Sequence, residues 1–153
     1  MKKKLDKILE AALVILMSVL VLDVLWQVAS RYILKNPSPV TDELAGYLLI
    51  WVGLTGAAYA TGKKEHLAID LLHSKLSPIN LKRIRILIDL LVILFALSVL
   101  IIGGTWLVWS RFHLGQVSAA MEIPVGYVYL ILPVSGLIIS FYSMYFIKQN
   151  MQS

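Results

Sequence analysis

The chain has 153 residues, 59% of them hydrophobic and only 15% charged, with a mean hydropathy of +0.80, a net charge of +5 and no cysteine. Ordinary soluble domains are about half apolar and a quarter charged, so a soluble globular protein is excluded. The absence of cysteine removes disulfides, thiol chemistry and cysteine-held metals, and with them the membrane thiol oxidoreductases.

Four apolar runs, approximately 8–30, 43–61, 86–112 and 124–147, each approach the roughly 20 residues that a bilayer requires. The expected fold is an all-α membrane protein, a single integral membrane domain over 1–153. It has four transmembrane helices plus a short interfacial amphipathic helix between helices 2 and 3.

The first run opens with MKKKLDKILEAALVILMSVLVL, a basic stretch followed by an apolar one, as in a secretory signal. Its apolar part is too long and no small-x-small site closes it, so a retained first span is expected. Asp23 lies inside this span, two turns or roughly 12 Å before Arg31 at ~1.5 Å per residue. Counting depth from the outward ends puts it level with Trp51, Gly104 and Pro133, with the Thr105 hydroxyl close by. An intramembrane acid suggests a proton or cation carrier. The preferred reading is a hydrogen-bonded acid that fixes helix register, assisted by Gln27.

A short loop stiffened by Pro37 and Pro39 leads to the second span. Thr41 or Asp42 suits the N-cap of that helix, and Asp42 and Glu43 suit its dipole. Arg31, near in topology, is a candidate partner for Glu43. Gly53, Gly56, Ala57 and Ala60 make a small-residue face that allows close helix approach, either within the bundle, the preferred reading, or onto another membrane protein.

The segment 66–77 then places Leu67, Leu71, Leu72 and Leu76 opposite Asp70, His73, Ser74 and Ser77. This is the pattern of an amphipathic helix lying in the interface plane, ended by Pro78. His66 and His73 share a face without a third metal ligand nearby. In the third span Asp89 follows Arg85 by one turn and is expected to pair with it. In the fourth, Pro133 frees the Tyr129 carbonyl, so a kink or polar contact is expected there.

Lys2, Lys3, Lys4, Lys7, Lys63, Lys64, Lys75, Lys82, Arg83, Arg85 and Lys148 fall on one side, against Arg31, Lys35 and Arg111 on the other. That asymmetry places both termini and the middle connection in the cytoplasm. Lys63, Lys64, Lys82, Arg83 and Arg85 are read as lipid-facing, at roughly 1 kcal/mol each beside anionic lipid. The positive charge is thus topological, and nucleic acid is not an expected partner. Trp26, Trp106, Trp109, Tyr32, Tyr47, Tyr127 and Tyr129 gather towards the outward side as an aromatic belt. No nucleophile–base set, phosphate loop or metal triad is present, so no enzyme is expected.

The motifs Gln27-Val-x-x-Arg31-Tyr32, Asp42-Glu43-Leu-Ala-x-Tyr47-x-x-x-Trp51, Gly56-Ala57-Ala58, Gly62-x-x-x-His66-Leu-x-Ile-Asp70 and Ser118-x-Ala120-Met121-x-Ile123-Pro124-x-x-x-Val128-Tyr129-x-x-x-Pro133 occur in this order. In order and spacing the chain resembles the small membrane subunit of tripartite ATP-independent periplasmic (TRAP) transporters, including the sialic acid type. Met121 stands where leucine is commoner.

The resemblance implies an accessory scaffold subunit without cofactor, substrate site or metal of its own. Its partners would be a large sodium-coupled elevator subunit in the inner membrane and a periplasmic binding protein, for uptake of an organic acid such as sialic acid or a C4-dicarboxylate. Arg31, Glu43 and the loop Ser118–Glu122 are then candidates to face the binding protein, while Trp51, Gly53, Gly56 and His66–Asp70 set packing and place the interfacial arm. Two other readings compete: a self-sufficient homodimeric proton-coupled exporter using Asp23, and a membrane enzyme using His66, His73 and Asp70.

Overall fold

A computed structural model of the chain describes residues 2–63 and 78–152. The expected interfacial helix 66–77, with His66 and Asp70, and the basic residue Lys64 lie outside the described residues. Four helices are long and apolar enough to cross a membrane, and the described residues contain no strand. They are α1 (Lys2–Tyr32), α2 (Pro39–Lys63), a third span over Asn80–His113 and a fourth over Gly126–Gln152.

The first three spans outrun their apolar stretches at both ends and the fourth at its C-terminal end, because backbone hydrogen bonding continues past the last residue that a bilayer needs. α2 starts at Pro39, not at a Thr41 or Asp42 cap. Proline at the first helical position has its φ preset and no N–H to leave unpaired. The Thr41 hydroxyl donates back to the Ser38 carbonyl at 3.0 Å, and Asp42 is already inside the first turn. Pro78 likewise opens a helix, α3 (Pro78–Phe95).

The third span is not uniform. Between α3 and α4 (Gly104–His113), residues Ala96–Gly103 wind as a π-helix. At its entry the Ser98 hydroxyl donates to the Leu94 carbonyl at 2.7 Å, competing with the backbone ladder where the turn widens. The fourth span breaks as expected, into α5 (Gly126–Tyr129) and α6 (Ile131–Gln152), with Leu130 between them.

Helix α1 packs on α2, α2 on α6, and α6 on α3 and the π segment. The spans therefore stand in a row, first–second–fourth–third, as a slab whose two outer members do not close a ring. Its core has two parts. Ala58, Ala96, Leu100 and Ile139 join α2, the third span and α6. Gly136 permits this contact, since a Cβ there would stand 2.8 Å from the Leu100 Cβ. Leu9, Tyr142 and Phe146 join α1 to α6 at the end carrying the termini, where the Tyr142 hydroxyl donates to Asp6 at 2.5 Å. Toward the other end, which carries the two loops, α1 and α6 diverge and leave a groove floored by α2.

Candidate functional site

The loop end of the slab holds the densest polar structure. The second loop folds back on itself through Ser118 N–H to the Ile123 carbonyl at 2.9 Å and Val125 N–H to the Gln116 carbonyl at 3.0 Å. Glu122 N–H closes the tip onto the Ser118 carbonyl at 3.2 Å, with Glu122 in the left-handed region at φ 56°. That conformation is uncommon for a residue with a side chain. The tip is thereby turned so that three consecutive amides converge on one point.

That point is Glu43. Its Oε1 accepts the Tyr47 hydroxyl at 2.8 Å and the Ala119 N–H at 3.1 Å. Its Oε2 accepts Ala120 N–H at 2.8 Å and Met121 N–H at 3.1 Å. Met121 N–H is shared with the Ser118 hydroxyl at 3.2 Å, and Ser118 is buried. A carboxylate taking four donors, two on each oxygen, is a clamp between α2 and a loop 76 residues away in sequence. Among the proposed partner-facing residues, Glu43 and Ser118 thus face each other within the chain, and Glu122 is exposed on the loop.

Arg31 does not pair with Glu43. Its Nη2 reaches both oxygens of Asp42 at 3.1 Å, and Gln27 donates to the same carboxylate. Adjacent residues on a helix point about 100° apart, so Asp42 turns to α1 while Glu43 turns to the loop. Arg31 and Asp42 are both about half exposed.

Trp51 sits lower on α2 and donates its indole N–H to the Val128 carbonyl at 3.0 Å. This is the polar contact expected near the proline break, shifted by one residue from Tyr129. Tyr47 and Tyr129 are not simple belt residues: Tyr47 serves the clamp, and Arg111 stands over the Tyr129 ring at 5.8 Å. Trp26, Trp106, Trp109, Tyr32 and Tyr127 are exposed, as lipid-interface aromatics are.

Asp23 is 8% exposed and lies in the α1–α2 interface. The expected helpers are committed elsewhere, Gln27 to Asp42 and Trp51 to Val128. Among the described residues its Oδ2 has no hydrogen-bond partner. Asp89 is buried, and both Asp89 and Arg85 have interaction partners. Lys63 stands over the Tyr59 ring at 5.2 Å, and Lys82 and Arg83 are exposed.

The small-residue face of α2 divides. Gly56 looks toward Leu13 of α1 at ordinary contact distance, whereas nothing stands within 4 Å of a Cβ at Gly53 or Gly46. Internal packing therefore does not account for Gly53. The close approaches within the slab are at Gly62, Gly104, Gly126 and Gly136, which pattern reading had not singled out for packing. Among the described residues no group of three His, Asp or Glu side chains could hold a metal.

The Glu43–Tyr47 pair, four apart on one helix face, was the only local sign of the clamp. Its other donors are backbone amides and leave no side-chain signature.

Comparison with known proteins fits this architecture. A Haemophilus influenzae protein named as a TRAP transporter small permease is 24% identical over 135 residues, 88% of this chain and 82% of its own length. The sialic acid TRAP transporter small permease SiaQ of Vibrio cholerae is 33% identical over 76 residues, half of this chain and 44% of its own. The profile of the tripartite ATP-independent periplasmic transporters, DctQ component, matches residues 11–153. With that match over nearly its whole length, and with four spanning helices of the expected kind, the chain belongs to the DctQ family of small membrane subunits of tripartite transporters.

Proposed function

We propose that the chain is a static scaffold subunit that does no chemistry of its own. It holds a large sodium-coupled membrane subunit at fixed depth and presents its loop end to a periplasmic binding protein. The cargo is an organic acid, sialic acid or a C4-dicarboxylate, and the sodium sites belong to the large subunit. The sialic acid relative supports the first cargo over its matched half. The termini lie in the cytoplasm, in keeping with the basic residues at that end.

The observation that carries this reading is the open stripe on α2. Gly46 and Gly53 have free space above them in a chain whose other close-packed glycines meet neighbours. Small residues facing outward from a spanning helix admit the backbone of another helix. The test is coexpression of the tagged chain with the large subunit. Gly53→Leu is expected to fold as the parent does and to lose copurification of the large subunit. Unchanged copurification would sink this assignment of the interface.

A second reading, an exporter working through Asp23, draws on the unpartnered Asp23 oxygen. It requires transport by the chain alone.

A further inference from the structure

Over its loop-end half, α1 turns one narrow stripe toward α2. Leu16, Leu20, Asp23, Gln27 and Ser30, three or four residues apart, form its less exposed side. The two helices run antiparallel, with Leu13 against Gly56 and Gln27 donating to Asp42. In that register Asp23 comes level with Gly46, four residues or roughly 6 Å below Asp42 at ~1.5 Å per residue.

At this depth the seam offers Asp23 nothing to bind. From Glu43 to Ile50, α2 carries one side chain able to donate, Tyr47, and it is spent on Glu43. From Val19 to Gln27, α1 carries two others: Trp26, which is exposed, and Gln27, which is spent on Asp42. The helical amides on both sides belong to their own ladders. The Asp23 Oδ2 is accordingly without a partner, and it is so enclosed that no water molecule fits beside it.

The charges facing the site do not help. On α1 the nearest are Arg31 toward the loops and Glu10 toward the termini, and on α2 they are Asp42 and Glu43. Arg31 is taken by Asp42, and Glu43 by Tyr47 and three loop amides. No positive charge is left over for Asp23, and Asp42, one turn above, is of like sign.

We propose that Asp23 is a proton-binding site, holding its ligand as the neutral carboxylic acid within the α1–α2 seam. Space decides between the ligands a carboxylate takes. A metal ion needs several oxygens and room for itself, and among the described residues no group of three acidic or histidine side chains is placed to supply them. A proton needs no room at all. It also removes the charge, and an unpaired charge is the costliest group to bury. The proton is taken from water as the seam closes, and no other bond is made or broken. A proton that stays in the seam moves no solute, so this inference stands apart from the scaffold reading.

The test is infrared spectroscopy of the full chain in nanodiscs at pH 7, with 13C at the side-chain carboxyl of its aspartates. A carboxylic acid is identified by its C=O stretch, by the 13C shift of that band and by a further small downshift in D2O. Asp23→Asn, a neutral isostere, should lose one acid's share of the labelled band, whereas Asp89→Asn, at the other buried aspartate, should keep it. Asp23→Glu keeps an acid in the seam but takes it out of the label. The same loss is expected of it, which leaves the test decisive even if Asp23→Asn does not fold. An undiminished acid band in these Asp23 variants would overturn the proposal. So would a parent in which every labelled aspartate gives the carboxylate bands.

Discussion

Glu43→Gln tests the clamp with almost no change in shape. In the parent, each carboxylate oxygen takes two donors: Tyr47 and Ala119 on one, Ala120 and Met121 on the other. Glutamine keeps one carbonyl oxygen and turns an NH2 group to the remaining pair. The least costly arrangement points the oxygen at Ala120 and Met121 and the NH2 at the Tyr47 oxygen, which can accept. Ala119 N–H then loses its acceptor and faces another donor, and the charge assistance to every bond disappears. Hydrogen exchange in nanodiscs reads the consequence amide by amide. Ala119 should exchange about 10–100-fold faster, with smaller increases at Ala120 and Met121. Glu43→Ala should speed all three further, while amides in the middle of α6 stay as in the parent. Equal protection of Ala119 in parent and Glu43→Gln would refute the clamp as the element that orders the loop.

Trp51→Phe keeps most of the ring and removes the N–H to Val128, so thermal unfolding in detergent should shift down by about 2–4 °C, matching about 1 kcal/mol for one hydrogen bond. Gly136→Ala places a Cβ 2.8 Å from the Leu100 Cβ and 3.2 Å from the Ala96 carbonyl oxygen; a loss of about 1–3 kcal/mol is expected in the same assay, and none would contradict the close packing of α6 on the π segment. Asp42→Asn breaks an ion pair whose partners are nearly half exposed, so its cost should stay below about 1 kcal/mol and shrink as salt is added.

The spans, their loops and the proline break in the fourth helix were all legible in hydropathy and proline placement, because a bilayer imposes length and composition on every crossing segment. The order of helices in the slab was not, since lipid-facing and helix-facing surfaces are both apolar and periodicity does not separate them. α1 illustrates this, with Leu22 and Leu25 exposed on either side of buried Asp23. The π segment left no sign beyond Ser98. Arg31 was assigned to Glu43 by proximity in topology, but one helical step separates that answer from Asp42, the partner it takes. The sequence leaves the Gly53 face open to internal packing, the preferred reading, or to docking, and only the packed structure distinguishes a glycine under a neighbour, such as Gly136, from one open to its surroundings.

Reconstitution in liposomes tests the central claim most directly. The chain alone is compared with the chain plus its large subunit and binding protein, under a sodium gradient, with labelled sialic acid and succinate as cargo. The account predicts no uptake or efflux by the chain alone, and sodium-driven uptake of one organic acid only when all three proteins are present. Solute movement by the chain alone, abolished by Asp23→Asn, would contradict it.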